Sequence, residues 1–369
     1  MSNILAQEGY TNEEVLKMLH DSRKIDFEYE LLDNQERVMG FLNVAGTVSF
    51  NSCSEIMGTA SFEIQEEKLK KYAELYMDMR IRPYFKLYTP RGWLRYPLGI
   101  YILSSPRRQE KDNTVYWDVE AYDKGIILKE DKLTDRLYIP AGSNYISEVK
   151  KLLLSAGIDK FIIESSMLST NTDLEFEIGT SKIEAVNELL YAINYYPIHF
   201  DYRGFAKTSR YIEPMQRETE FGYMTDDRSI ILPGTNQSND MYGVPNVVIR
   251  YLDNPDGPPL RSIYKNDNPE SIVSTVRRGR QIVDVESVED IADQDTLDAY
   301  TRRIAIEKSQ MNDMVGLSTA LMPMHGYRNC LFVRDDRLGI ETKYIEYSWS
   351  MELKVGGTMQ HELKRVIYL

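Results

Sequence analysis

Cysteine is almost absent from this 369-residue chain. Cys53 and Cys330 stand far apart and form neither a disulfide framework nor a zinc site of the usual spacing. Asn51-Ser52-Cys53-Ser54 supplies no base and no electropositive neighbour, so the thiol reads as packed or partly exposed rather than nucleophilic. Histidine is also scarce. His20, His199, His325 and His361 never pair at i, i+4 on an expected helix, and no HExxH occurs, which speaks against a metalloprotease. His199 alternates within a strand-like segment, where a surface or hydrogen-bonded histidine is the ordinary reading and a ligand the rarer one. There is no G-x-S-x-G elbow and no Walker-A loop. Gly179-Thr180-Ser181-Lys182 lacks the earlier glycine of a phosphate loop and reads as a helix cap. No run approaches the roughly 18 consecutive apolar residues of a membrane span. The opening MSNILAQEGYTNEEV has neither the basic nor the apolar region of a signal peptide.

Positive charge is in deficit, with 44 Lys and Arg against 57 Asp and Glu and a formal net charge of −13. Such a chain is a poor candidate for wrapping nucleic acid, whose binding rests on neutralised phosphates. Acidity does suit a surface past which DNA slides without sticking. Arg277-Arg278-Gly279-Arg280 is the one dense basic patch, open to an acidic neighbour, to phosphate or simply to solvent. What is plentiful is tyrosine, 26 against 11 phenylalanines, a side chain favoured at interfaces and on half-wet strands. With 42% hydrophobic and 27% charged residues the chain is an ordinary globular one, long enough for two to four domains.

Periodicity divides the chain. Residues 1–24 form an N-terminal helical arm, capped by Thr11 or Asn12, with Val15, Leu16 and Leu19 as its stripe. Residues 25–134 form a first β module. Ile25–Leu31, Ala60–Ile64 and Val115–Ala121 alternate apolar and polar, while Leu98–Leu103 is apolar on both faces and reads as mid-sheet. Residues 135–210 form an α+β insert. Tyr145–Ala156 ends at Gly157, and Ser181-Lys182-Ile183-Glu184 is a capping box opening a second helix. Residues 211–285 begin a second β module behind a long polar connection, with Val247–Leu252 as a strand. Residues 286–324 hold a helix over Ser287–Met311, with Ser287 and Asp290 at capping spacing. Residues 325–369 close the second module with the alternation Ile345–Val355, a Gly356-Gly357 turn and a partner strand Met359–Ile367.

Little of this points to catalysis. Glu28 with Glu30, and Glu175 with Glu177, sit two apart on strands, as a glycosidase pair would, but that spacing is also the default for a wetted strand face. Asp253-Asn254-Pro255-Asp256-Gly257 has oxygen ligands for calcium but lacks the later glutamate of an EF-hand loop. No catalytic, cofactor or metal residue is assigned.

The order of elements resembles the phage tail hub family: the baseplate hub cup of contractile tails and the N-terminal hub region of siphophage tail-associated proteins. The resemblance lies in Phe27–Asp33, Pro97–Pro106, Glu120–Lys124, Ile178–Lys182, Leu189–Tyr195, Phe200–Gly204 and Trp349–His361, spread over residues 25–365. None is a catalytic motif; they agree in order. The resemblance implies an α+β, mainly β fold of two small β-barrel modules with smaller mixed inserts, in a trimeric ring. That ring would adapt a six-fold tail tube to a three-fold spike or tip and leave a path for DNA. Its implied neighbours are a distal tail protein, the tube, a tape measure and spike or tip proteins, and its implied place is the virion. Relatives often carry a C-terminal fibre or wall hydrolase; this sequence stops at Leu369, so such a role is not expected of it. The rival readings are a peptidoglycan hydrolase acting through a carboxylate pair, and a carbohydrate-binding receptor module presenting Trp93, Trp117 or Trp349, although those tryptophans read mostly as core.

Overall fold

The computed structural model describes residues 5–69, 79–252, 259–310 and 313–366. Alternation becomes strand as expected. Ile25–Leu32, Gly58–Gln65 and Thr114–Tyr122 all form, as does Arg80–Thr89, where Ile81, Phe85 and Leu87 point inward between cations. Leu98–Leu103 is corrected. Gly99 adopts φ +127°, a conformation closed to strands of L-residues, so the strand starts only at Tyr101 and runs to Lys111.

Fourteen strands form one sheet. From one end it runs Asn236–Asn239, Asp313–Ala320, Thr358–Arg365, Ile340–Glu352, Val44–Asn51, Gly58–Gln65, Thr114–Tyr122, Tyr101–Lys111, Arg80–Thr89, Ile25–Leu32 and Val38–Leu42. Gly92–Pro97, Cys330–Asp335 and Phe221–Met224 branch from it. The expectation of two β-barrels is therefore corrected to an open sheet, since no pairing among the described residues closes either half. The reason is the 13-residue strand Ile340–Glu352. Its first half pairs with Cys330–Asp335 through residues 340–345. A bulge follows between Glu346 and Ser348, and residues 348–352 then pair with Val44–Asn51 of the first module. One strand thus belongs to both halves, and one core spans them, from Leu31, Phe62 and Phe85 to Tyr223, Val333 and Met359.

The N-terminal helix Asn12–His20 has a complete capping box between Thr11 and Glu14, and buries Val15 and Leu19 in that core. A second core belongs to the helices Tyr145–Ser155 and Lys182–Tyr191. Asn144 caps the first and Gly157 follows it at φ +76°; Ser181 caps the second by accepting the Glu184 amide. The polar connection 211–244 is less bare than expected, contributing the strands Phe221–Met224 and Asn236–Asn239.

A separate three-stranded sheet orders Leu260–Lys265, Val247–Leu252 and Val283–Ser287. One face is covered by the helix Gln294–Gln310. The expected cap at Ser287 or Asp290 is corrected. Ser287 ends a strand, Asp290 accepts the Tyr145 hydroxyl at 2.5 Å, and Asp293 caps the helix through the Thr296 amide at 2.7 Å. No helix among the described residues is long and apolar enough to cross a membrane.

Candidate functional site

The bulge in Ile340–Glu352 changes which side chains face the main core. Before it, Ile340 and Tyr344 point inward; after it, Trp349, Met351 and Leu353 do. Ile345 and Tyr347 face a small separate cluster with Cys330 and Val366. Glu346 continues the inward set of Tyr344 and is carried, fully buried, into the core. Two histidines meet it there. His361 arrives on the neighbouring strand and His325 on the loop before Cys330.

The three side chains form a closed network. His325 Nδ1 lies 2.6 Å from Glu346 Oε2, and His361 Nδ1 lies 2.6 Å from Glu346 Oε1. The Tyr223 hydroxyl meets His325 Nε2 at 2.6 Å and the Thr319 hydroxyl meets His361 Nε2 at 2.8 Å. All five residues are buried. We assign both rings as neutral, each donating from Nδ1 to the carboxylate; Nε2 of His325 then accepts from the Tyr223 hydroxyl, while Nε2 of His361 shares the Thr319 hydroxyl with the Ala320 carbonyl, 2.9 Å away. Burial pushes His325 down to about 3. Burial also lowers His361, with the bond to Glu346 opposing it. Burial raises Glu346 against the stabilising bond from His361.

His325, Glu346 and His361 are the kinds of residue that hold metals, and their donor atoms lie within 4.8 Å of one another. The contacts argue for hydrogen bonds. Ligands held about 2.0–2.2 Å from a tetrahedral zinc lie roughly 3.3 Å apart, so an ion would have to prise open both 2.6 Å contacts. Both oxygens of Glu346 already have a partner within the network.

A cleft of 290 Å³ lies beside it, where Phe50 and Trp349 of the large sheet meet His199 and Lys207 of the insert. Its carboxylates are engaged. Asp123 accepts the Gly58 and Gly125 amides at 2.6 and 2.8 Å and is pushed up to about 6 by burial. Asp201 accepts the Arg203 and Phe205 amides, and Glu220 pairs with Arg217 at 2.7 Å. His199 is half-buried on the cleft wall, stacked on Tyr327 at 4.1 Å and lowered to about 4 by its desolvation there.

A second buried cluster joins the insert, the Gln294–Gln310 helix and the second β module. Glu307 bonds Arg303 at 3.2 Å and Arg328 at 2.6 Å. Burial alone would raise Glu307, but the two guanidinium groups hold it at about 2. Arg303 lies over the rings of Tyr191, Tyr196 and Tyr211, and Arg328 over Tyr327 and Tyr347. Part of the tyrosine excess is thus internal.

The residues singled out from sequence do not converge. Arg95 Nη2 bonds both Glu28 and Glu30, and Arg82 takes Glu30 as well, so that pair is neutralised in place. Arg136 holds Glu175 at 2.7 Å and Glu177 at 3.2 Å. Cys53 is exposed; Cys330 is buried, which raises its thiol. Trp349 is core, whereas Trp93 and Trp117 are only half-buried. Arg278 donates to the Met241 carbonyl at 2.9 Å, leaving Arg277 and Arg280 exposed. Asp253–Gly257, the calcium candidate, lies outside the described residues.

No protein-family model matches the sequence, and no curated protein is similar to it. Solved structures do match. A tail protein from Neisseria meningitidis superposes with a TM-score of 0.66 at 12% identity, covering 92% of this chain and 97% of its own. The 43 kDa tail protein of prophage MuSo2 from Shewanella oneidensis gives 0.60 at 9% identity, over 91% and 98% of the two chains. This is the fold of phage tail proteins. Prophage tail protein gp18 from Listeria monocytogenes adds a third case, with a TM-score of 0.55 at 11% identity over 91% and 94%. The resemblance read from packing and turn patterns is therefore borne out as fold, mainly β with helical inserts, over nearly the whole chain.

Proposed function

We propose that this protein is a structural hub of a phage tail tip or baseplate, acting as a homotrimer in the virion. The observation that carries this reading is the two-way coverage: the match spans almost all of this chain and almost all of three tail proteins. In the proposed ring, three copies contribute six half-open β lobes, the pseudo-six-fold side that meets the tail tube. The three-fold symmetry of the ring itself meets a spike or tip. A distal tail protein and the tape measure are the further neighbours, and the net charge of −13 per chain suits a bore through which DNA passes without binding. The insert 135–210, with its own core, is proposed as a separate module on this ring. Catalysis is not part of the proposal, because the cleft's carboxylates and the former glycosidase candidates are tied to cations or backbone amides.

Light scattering and negative-stain imaging of the purified chain test this. The expected result is a mass three times the 42.9 kDa of one chain and a ring with three-fold symmetry. A stable monomer, even with its tail partners present, would overturn the proposal, as would robust clearing of cell walls by the protein alone.

A further inference from the structure

The small sheet Leu260–Lys265, Val247–Leu252, Val283–Ser287 is covered on one side only. Arg250, Tyr264 and Asp284 point to the helix side: Arg250 pairs with Asp284 at 2.7 Å, Asp284 with Lys308 of the helix, and Arg302 of the helix lies over Tyr264. Strand alternation sends the residues between them to the opposite face. In register across the strands, Ile249 sits between Ile263 and Val285, with Tyr251 and Val283 beside them. Val247, at one end of this face, is buried at 6%, but the rest of the face lies open. Ile263 is 54% exposed, Val285 57%, Val283 49% and Tyr251 37%. Contiguous exposed apolar side chains on a regular sheet mark an interaction site.

The charge around the face says what covers it. Arg261 and Lys265 flank Ile263 on the same side of the same strand, and both are exposed. These two cations sit on the open face itself, and the basic run Arg277-Arg278-Gly279-Arg280 lies on the segment leading into Val283–Ser287. Among the described residues Arg261, Lys265, Arg277 and Arg280 make no ion pair. A basic, apolar-centred face on a chain of net charge −13 complements the acidic remainder of another copy of the same chain.

We propose that the open face of this sheet docks against a different, acidic surface of a second copy and so forms a head-to-tail contact of the ring. This rests on the hub reading above. Ile249, Ile263 and Val285 form the buried centre, and Arg261 and Lys265 the charged rim.

The test uses the full chain, the double variant I263D/V285D, and the rim variant R261E/K265E, whose substitutions are all at exposed positions. Sedimentation velocity reads the association state, and circular dichroism confirms each variant's fold. The wild type is expected to be a trimer, and both variants folded monomers, weakened at least about a hundredfold as for loss of interface hot spots. A trimeric wild type with trimeric variants overturns this interface and leaves the hub reading standing. Variants that stay trimeric but lose a tail partner show that the occupant is that partner, which also overturns it. A monomeric wild type sinks both the interface and the hub.

Discussion

Replacing Glu307 with glutamine removes the one anion between two buried guanidinium groups. Arg303 is 4% and Arg328 11% exposed, so neither can turn to bulk water for compensation. Glu307 is itself only 21% exposed. Its carboxyl is held at about 2 against an ordinary 4.5. At about 1.4 kcal/mol per pKa unit this corresponds to roughly 3 kcal/mol of stability at neutral pH, the size expected when one member of a buried ion pair is lost. For a chain of this length the entropy of melting is roughly 0.8 kcal/mol/K, so calorimetry is expected to show Tm lowered by about 4 °C. The pH dependence is the sharper check. The folded pKa is depressed, so the contribution is complete above about 4.5 and drains away as pH falls toward 2. The gap between wild type and E307Q is expected to shrink to less than half by about pH 3. Equal Tm values at pH 7, or a gap unchanged in acid, would refute the assignment of Glu307 as the anion that neutralises this joint.

Three further outcomes follow from the geometry. Glu346→Leu strands two buried imidazole N–H groups and is expected to cost about 2–6 kcal/mol, whereas Glu346→Gln, met by one ring changing tautomer, costs under about 1.5 kcal/mol; urea unfolding that finds them equal sinks the network. Nitrogen-15 spectra should show His325 and His361 neutral and protonated at Nδ1 with no transition near 6.5. Their depressed pKa values mean that their contribution is present above 6.5 and is lost as pH falls toward about 3 for His325, while chelator or added zinc leaves Tm unchanged. Gly58→Ala places a methyl 2.7 Å from the Asp123 carboxylate that accepts the Gly58 amide, and thermal melts should show about 1–3 kcal/mol lost; a neutral substitution would mean that this turn is not held by Asp123.

Local rules carried much of the fold. The caps at Thr11 and Ser181 and the glycine at 157 bounded three helices, because capping needs only neighbouring residues. Alternation marked Ile25–Leu32 and Thr114–Tyr122, because each has one wet face. The failures were long-range. Glu28 and Glu30 resembled a catalytic pair until Arg82 and Arg95, some fifty to seventy residues away, were brought across the sheet. Asp290 stood at capping spacing, yet its partner is Tyr145 in the insert. No local pattern encodes either meeting.

Ile340–Glu352 shows why the barrels that the resemblance implies did not form. Read as unbroken alternation, Ile345, Tyr347, Trp349, Met351 and Leu353 form one apolar face and Glu346 faces water. The bulge before Ser348 breaks that set in two, leaving Ile345 and Tyr347 on one side and sending Glu346 inward with Trp349. A buried carboxylate demands donors, and His325 and His361 supply them from two other segments. The same shift redirects the strand's edge from Cys330–Asp335 to Val44–Asn51, which opens both halves and fuses them. Bulge, network and fused sheet are therefore one feature. A substitution that relieves the need to bury Glu346 removes the donors' purpose there without removing the joint, so Glu346→Gln should keep the sheet continuous where deletion of residue 347 would not.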